Sequence, residues 1–476
     1  MNSNYLSRHS LQFFIIGFTF LSVSFTACKK NRGADIEYNV LDSAYLYTRD
    51  IYLWAEKLPA PSVFKPRTSP DIYALMERVR GYQPLDKWSF AETKEETKQT
   101  LEGSSDDFGF LVKFVPGNNT EIRVTYVYSN SSAGITGVKR TWRVNKINGR
   151  VINRSVPADL DYINDVFFGS PKSAQFEFIR PNGTVTVETL QKTSYKLNTV
   201  LYSSVYIKGD RKIGYFVFNE FSEATSVLEL LNTIGGFENQ GVNEIIVDLR
   251  YNRGGFVSTQ DTLANMLAPK SVGRAQKVMY TYVYNSKYTS WNESYKFYKT
   301  GSLDLSRIVF IVSPSSASAS ELLINNLRPV MSVKLIGDTR TYGKPVGFFP
   351  IPVFEYNIFP VSFKTANSNG EADFFAGFPV DKNVADDLVH DFGDENEANL
   401  KEALFYLSNN SFSAIATNRI SSVNSAEVQY VRSVNADIAD HLPSATIENR
   451  PSRMPPAIKQ LQGNQNCLIK AIYLPN

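Results

Sequence analysis

The sequence predicts an α/β core of mixed sheet and helices over residues 200–408, preceded by a small β-rich domain over 106–195 and a mainly helical unit over 43–105. Three observations predict it. Apolar residues recur at helical spacing in Tyr45, Leu46, Ile51, Tyr52 and Trp54. From Phe108 they give way to short alternating segments punctuated by Asn-Gly turns. From residue 200, buried-looking strands alternate with helical patterns. At 476 residues the chain exceeds one ordinary core, since domains run to about 100–200 residues. A hydrophobic content of 43% and a charged content of 20% are globular values, which exclude wholesale disorder and a multi-span membrane protein. The net charge of +3 is too small and too scattered to indicate a nucleic-acid partner.

Residues 1–27 read as an export signal. Arg8 and His9 precede an apolar run from Leu11 to Phe25, and Thr26 and Ala27 close it before Cys28. The run is short for a bilayer span, and a cysteine directly after small residues resembles the lipobox of bacterial lipoproteins. That resemblance implies lipidation at Cys28 and a membrane anchor; an ordinary cleaved signal with Cys28 incidental is the alternative. Lys-Lys-Asn-Arg rather than an acidic run follows Cys28, which favours the periplasmic face of a bacterial envelope. The only other cysteine, Cys467, lies far away, so no disulfide framework is expected. Residues 28–42 form a tether. In the helical unit a second helix is expected near Ile72–Val79, with Pro59, Pro61, Pro66 and Pro70 between the two. This unit is expected to be too small to house much chemistry.

The β-rich domain is built from Phe110–Phe114, Ile122–Val127, Trp142–Ile147, Gln175–Ile179 and Thr184–Thr189, with turns at Asn148-Gly149 and Asn182-Gly183. Ser129–Ile135 followed by Lys139–Val151 resembles the PDZ pattern, in which a small-residue helix start leads into a strand and an Asn-Gly turn. Phe108-Gly109-Phe110-Leu111 falls where the carboxylate-binding loop of such domains lies. A plain strand entrance with a turn glycine accounts for the same four residues taken alone.

In the core, Ile213–Phe218, Glu244–Leu249 and Ile308–Val312 read as strands, and Ala224–Ile234, Thr259–Met266 and Glu321–Leu327 as helices. The segment Arg307–Leu327 passes from an apolar strand through Ser313-Pro314 and small residues into a helix. A serine at the first turn of a helix has unpaired N–H groups and the positive end of the dipole beside it. Serines there are also ordinary helix caps. A nucleophilic serine needs a base, and the three histidines offer none: His9 lies in the signal, and His390 and His441 lack evident partners. A desolvated lysine of pKa about 7–8 can replace histidine. Lys344, between Gly343 and the apolar Pro345-Val346-Gly347-Phe348-Phe349, is suited to this. Asp248–Gly255 places two glycines after a buried-looking strand, where N–H groups can face an oxyanion or simply turn the chain.

Together these segments resemble the carboxyl-terminal processing, or tail-specific, serine peptidases. Ser316-Ala317-Ser318-Ala319-Ser320-Glu321 is similar to the family's SASASE segment, and Thr341-Tyr342-Gly343-Lys344 to the segment carrying its lysine. DLRxNxGG runs from Asp248 to Gly255, Lys212–Phe221 resembles the strand opening the protease core, and Asp86–Phe90 lies in the N-terminal unit. The resemblance covers about residues 40–408. It implies Ser318 as nucleophile, Lys344 as base, and oxyanion donors among the N–H groups of Ala319, Gly254 and Gly255. It also implies polypeptide substrates with free C-termini, held by Phe108–Leu111. Two departures stand out: one extra residue within Asp338–Thr341, and Pro345-Val346-Gly347-Phe348 in place of the glycine and glutamine that follow the lysine in many relatives. A catalytically weak peptide-binding lipoprotein is the alternative, and a glycan-acting protein a third class whose paired carboxylates cannot be located. No cofactor or metal is implied. Residues 409–476, rich in Ser, Asn and Ala, receive no role.

Overall fold

The computed structural model describes residues 39–414. The export signal, Cys28, His441 and nearly all of the C-terminal extension lie outside the described residues.

The core is a six-stranded sheet in the order 382–383, 332–337, 307–312, 244–248, 211–218 and 200–208. Every neighbouring pair is parallel except the last, where Val200–Lys208 runs antiparallel to Arg211–Phe218. Alternation along Arg211–Phe218 explains how both faces are filled. Ile213, Tyr215 and Val217 join Ile246, Val309, Ile311 and the apolar side of helix Ala398–Asn409 in one cluster. On the other face Gly214 admits helix Ser226–Asn239, because a Cβ there would lie 2.9 Å from Phe237 and Ile245. The helices predicted in the core run over Ser226–Asn239, Val257–Leu267 and Ala319–Leu327.

A second core sheet, in the order 294–296, 278–283, 363–367 and 346–347, was not anticipated. Two of its strands are only two or three residues long, below the length at which alternation can be read.

The β-rich region forms a five-stranded antiparallel sheet, ordered 110–114, 122–127, 143–147, 173–179 and 185–191. Both predicted turns form, with Asn148 and Gly149 at φ 48° and 79°, and Gly183 at 80°. A helix over Pro157–Phe168, absent from the sequence reading, packs Ile163, Val166 and Phe167 onto Phe110, Val112 and Phe114. Strand 110–114 lies at one edge of this sheet. Arg140 ties the unit to the core: Nη1 donates to Tyr251 Oη (2.8 Å) and Nη2 to the Asp387 carbonyl (2.5 Å), while Tyr251 Oη donates to Asp386 (2.7 Å).

The N-terminal unit has helices at Val40–Ile51, capped by Asn39, and Ile72–Arg80, capped by Asp71. It also contributes strand Phe90–Thr93, paired with Tyr356–Phe359 of the core. Asp86 folds this segment, accepting from Trp88 N (2.9 Å), Ser89 N (3.0 Å), Ser89 Oγ (2.6 Å) and Tyr52 Oη (2.7 Å).

Candidate active site

Strand Arg307–Val312 ends at Ser313, and helix Ala319–Leu327 begins one residue after Ser318. Three neighbouring serines bond backbone carbonyls of another loop. Ser313 Oγ donates to the Arg250 carbonyl, Ser316 Oγ to that of Leu249 (2.7 Å) and Ser320 Oγ to that of Asn252 (3.1 Å). These three hydroxyls bind the turn around Ser318 to the Asp248–Gly255 loop. Ser318 differs. Its hydroxyl is buried without a hydrogen-bond partner, and its backbone sits at φ 60°, ψ −115°, a region a non-glycine residue rarely adopts. A buried hydroxyl without a hydrogen-bond partner is unusual for a helix N-cap.

The Asp248–Gly255 loop is held from within. Arg250 Nη2 donates to Asp248 (2.7 Å) and Nη1 to Glu397 (2.7 Å), all fully buried. Asn252 Nδ2 donates to the Phe218 carbonyl (2.9 Å), and its Oδ1 accepts the Gly254 N–H (2.8 Å). Gly254 and Gly255 have φ of 107° and 134°. A Cβ on Gly254 would stand 2.7 Å from Ser318 Cβ and 2.9 Å from Ala319 N, so only glycine permits this approach. The three proposed N–H groups therefore differ. That of Gly254 is engaged by Asn252, whereas those of Gly255 and Ala319 have no acceptor among the described residues.

Lys344 is 1% exposed, with Nζ 4.4 Å from the centre of the Phe348 ring. Burial, followed by the Arg253 charge, lowers its pKa to about 7, with Asp86 and Glu321 opposing. Phe348 thus lies against the lysine. Thr339, within Asp338–Thr341, has a φ of 59°.

Glu321 joins the two halves, a role the sequence reading did not assign. Its Oε2 accepts Ser318 N (3.1 Å) and Lys344 N (2.7 Å), and its Oε1 accepts Gly343 N (2.7 Å) and Thr341 Oγ1 (2.5 Å). Burial raises its pKa to about 7 against these four hydrogen bonds. The Tyr342 N–H donates to the Ser316 carbonyl (3.0 Å), a second tie. The spacing Ser318-x-x-Glu321 was a legible cue, being that of a capping box. Asp86 carried no such cue, because its influence on Lys344 crosses from another unit. The N-terminal unit, expected to hold little chemistry, supplies that carboxylate. It also supplies Trp88, whose ring stacks on Phe375 and lies 6.4 Å from Tyr342. His390 bonds Asp387 (2.7 Å), away from these residues.

Residues 212–366 match the model of peptidase family S41. Over those residues the chain is similar to that family. Over 269 residues the chain is 29% identical to a "Probable CtpA-like serine protease" of Staphylococcus aureus (strain N315), covering 55% of this chain and 49% of that one. The Staphylococcus epidermidis protein of the same name is 26% identical over 268 residues, covering 55% and 50%. The chain thus spans about half the length of the curated relatives it matches. A crystal structure of a Bacteroides fragilis NCTC 9343 protein assigned to the S41 proteases superposes with a TM-score of 0.62 at 24% identity, covering 79% of this chain and 99% of that one. The shared mixed α/β architecture is that of the sheets and helices described above.

The loop Phe108–Leu111 differs from the expectation of a vacant anion site. Phe108 and Phe110 are 1% and 5% exposed and belong to the hydrophobic cluster of the five-stranded unit. Gly109, at φ 82°, is obligatory, since a Cβ would overlap Ser131 at 1.8 Å. Its N–H donates to Asp107 Oδ1 at 2.5 Å. In this structure the chain's own carboxylate therefore accepts the N–H that was expected to face a ligand.

Proposed function

We propose that this chain is a serine endopeptidase of exported polypeptides, with Ser318 as nucleophile and Lys344 as general base. The observation that carries the reading is the pairing of an unpartnered, strained Ser318 hydroxyl with a buried lysine of pKa about 7, both held on Glu321. Ser318 Oγ attacks the scissile carbonyl while neutral Lys344 takes its proton. Negative charge moves onto the carbonyl oxygen, and the N–H groups of Ala319 and Gly255 receive it. Collapse expels the amine, which takes the proton back from Lys344, and leaves an ester on Ser318. Water, deprotonated by Lys344, then hydrolyses the ester.

The five-stranded unit is read as PDZ-like and holds the polypeptide beside its edge strand Phe110–Phe114, a mode in which main-chain hydrogen bonds supply affinity. Lipidation at Cys28 would place the enzyme on the periplasmic face of the envelope, and acyl mass on the N-terminal peptide of the mature protein tests it. For activity, the purified chain is incubated with an unfolded protein and the fragments are analysed by mass spectrometry. Cleavage lost in Ser318→Ala and in Lys344→Ala, but kept in His390→Ala, supports the proposal. Cleavage surviving Ser318→Ala defeats it.

A further inference from the structure

A cavity of about 180 Å³ lies between the five-stranded unit and the core. Phe108, Phe110, Phe167 and Phe168 line one part, and Gly254 and Gly255 line another, so the space connects the expected peptide groove with the loop beside Ser318. Its polar lining is one-sided. Asp107 and Glu220 both border it, against Arg253 as the single basic lining residue. Arg253 acts electrostatically on Lys344, whose pKa it lowers. Asn219 also lines the cavity and is 5% exposed; its Nδ2 donates to Tyr128 Oη (2.7 Å), while its buried Oδ1 has no partner. A buried acceptor without a donor is costly, and the cost disappears when a ligand supplies one.

From this arrangement we infer that the cavity is a subsite for a cationic side chain, lysine or arginine, of the bound polypeptide. The inference rests on the peptidase reading for the source of the polypeptide, though not on turnover. Aromatic walls accept the aliphatic stem and interact favourably with a cation, while Asn219 Oδ1, Glu220 and Asp107 receive its N–H groups. The same carboxylates repel a terminal carboxylate. Burial and the neighbouring Asp107 charge raise the Glu220 carboxyl to about 7, the condition of an acid that a bound cation would relieve.

The test separates binding from catalysis by using the full chain with Ser318→Ala. Fluorescence anisotropy compares unstructured peptides that carry one arginine with the same peptides carrying neutral citrulline. The arginine peptide is expected to bind about tenfold or more tightly, the scale of one charge-assisted hydrogen bond. Glu220→Gln should erase most of that preference with thermal unfolding unchanged. Asn219→Asp, which replaces the Nδ2 donor to Tyr128 Oη by a carboxylate oxygen able to accept from that hydroxyl and adds charge, should enlarge it. Equal affinities for the two peptides would overturn the subsite, as would a preference that survives Glu220→Gln unaltered. Loss of cleavage in the unsubstituted chain would count against the peptidase reading alone, because the anisotropy measurement needs no turnover.

Discussion

Two glycine loops in this molecule were read as offering backbone N–H groups to an anion, and they have opposite fates. Beside Ser318, the N–H groups of Gly255 and Ala319 are open because Asn252 holds only that of Gly254. In the five-stranded unit, Asp107 folds back onto the N–H of Gly109. Both loops contain glycines at positive φ, so backbone conformation does not distinguish them. The side chain two residues before the glycine does. Asn252 is neutral and leaves the neighbouring N–H free, whereas Asp107 brings a full negative charge to the place where a carboxylate was expected.

The sharpest way to break this comparison is at Ser318. Ser318→Ala is expected to lower turnover by about ten-thousandfold or more while circular dichroism stays unchanged. Lys344→Arg should match it, since guanidinium remains protonated at working pH. Retained cleavage in either variant would remove the open loop's claim to be catalytic.

Glu321→Gln should cost about a hundredfold in kcat with little change in KM, because misplacing reacting groups by about an ångström has that scale. A purely structural carboxylate would move rate alone. Glu321 also raises the Lys344 pKa, so the acidic limb of the pH profile should shift to lower pH in the variant. An unshifted limb would show that Glu321 does not act through the lysine.

The pH dependence of the unsubstituted chain follows from Lys344. The base must be neutral, so activity should rise through about pH 7. Stability carries the reverse sign. The folded pKa is depressed below the unfolded value of about 10.4, so the folded state bears a desolvated lysine whose full cost is present below about pH 7 and fades as pH rises towards 10.4. Lys344→Met should therefore raise the melting temperature more at pH 6 than at pH 9. A gain independent of pH would indicate that packing, not charge, is the cause.

The smallest effect is expected at the filled loop. Amidating the C-terminus of a peptide should change affinity by less than about threefold, where a vacant N–H would give about tenfold or more. A strong acid preference would mean that Asp107 leaves Gly109 when ligand arrives.

What the sequence revealed and what it hid divide along the same physical line. The strand, turn and helix around Ser318 and the glycine loop after Asp248 are local, written in contiguous residues whose pattern carries their geometry. The double-sided burial of strands such as Arg211–Phe218 was equally readable from their apolar runs. Glu321 as a bridge, Asp86 beside the lysine and the four-stranded sheet depend on contacts between distant segments, and nothing in the local pattern specifies those. Helix Pro157–Phe168 was passed over although Pro157 stands at its first turn, a recognised start signal. The filling of Gly109 was also within reach, since Asp106-Asp107 immediately precedes Phe108.

Strand Phe90–Thr93 pairs with Tyr356–Phe359, which the ribosome adds only after Ser318, the glycine loop and Lys344 have all been made. Until that late segment exists, Phe90–Thr93 lacks its partner strand, and Val361, whose N–H meets Ser89 Oγ, is missing too. Asp86 and Trp88 consequently come to rest against the lysine's neighbourhood among the last events of folding, as contacts of long sequence separation do. A chain made in this order lacks those contacts around Lys344 until residues 356–361 have been added.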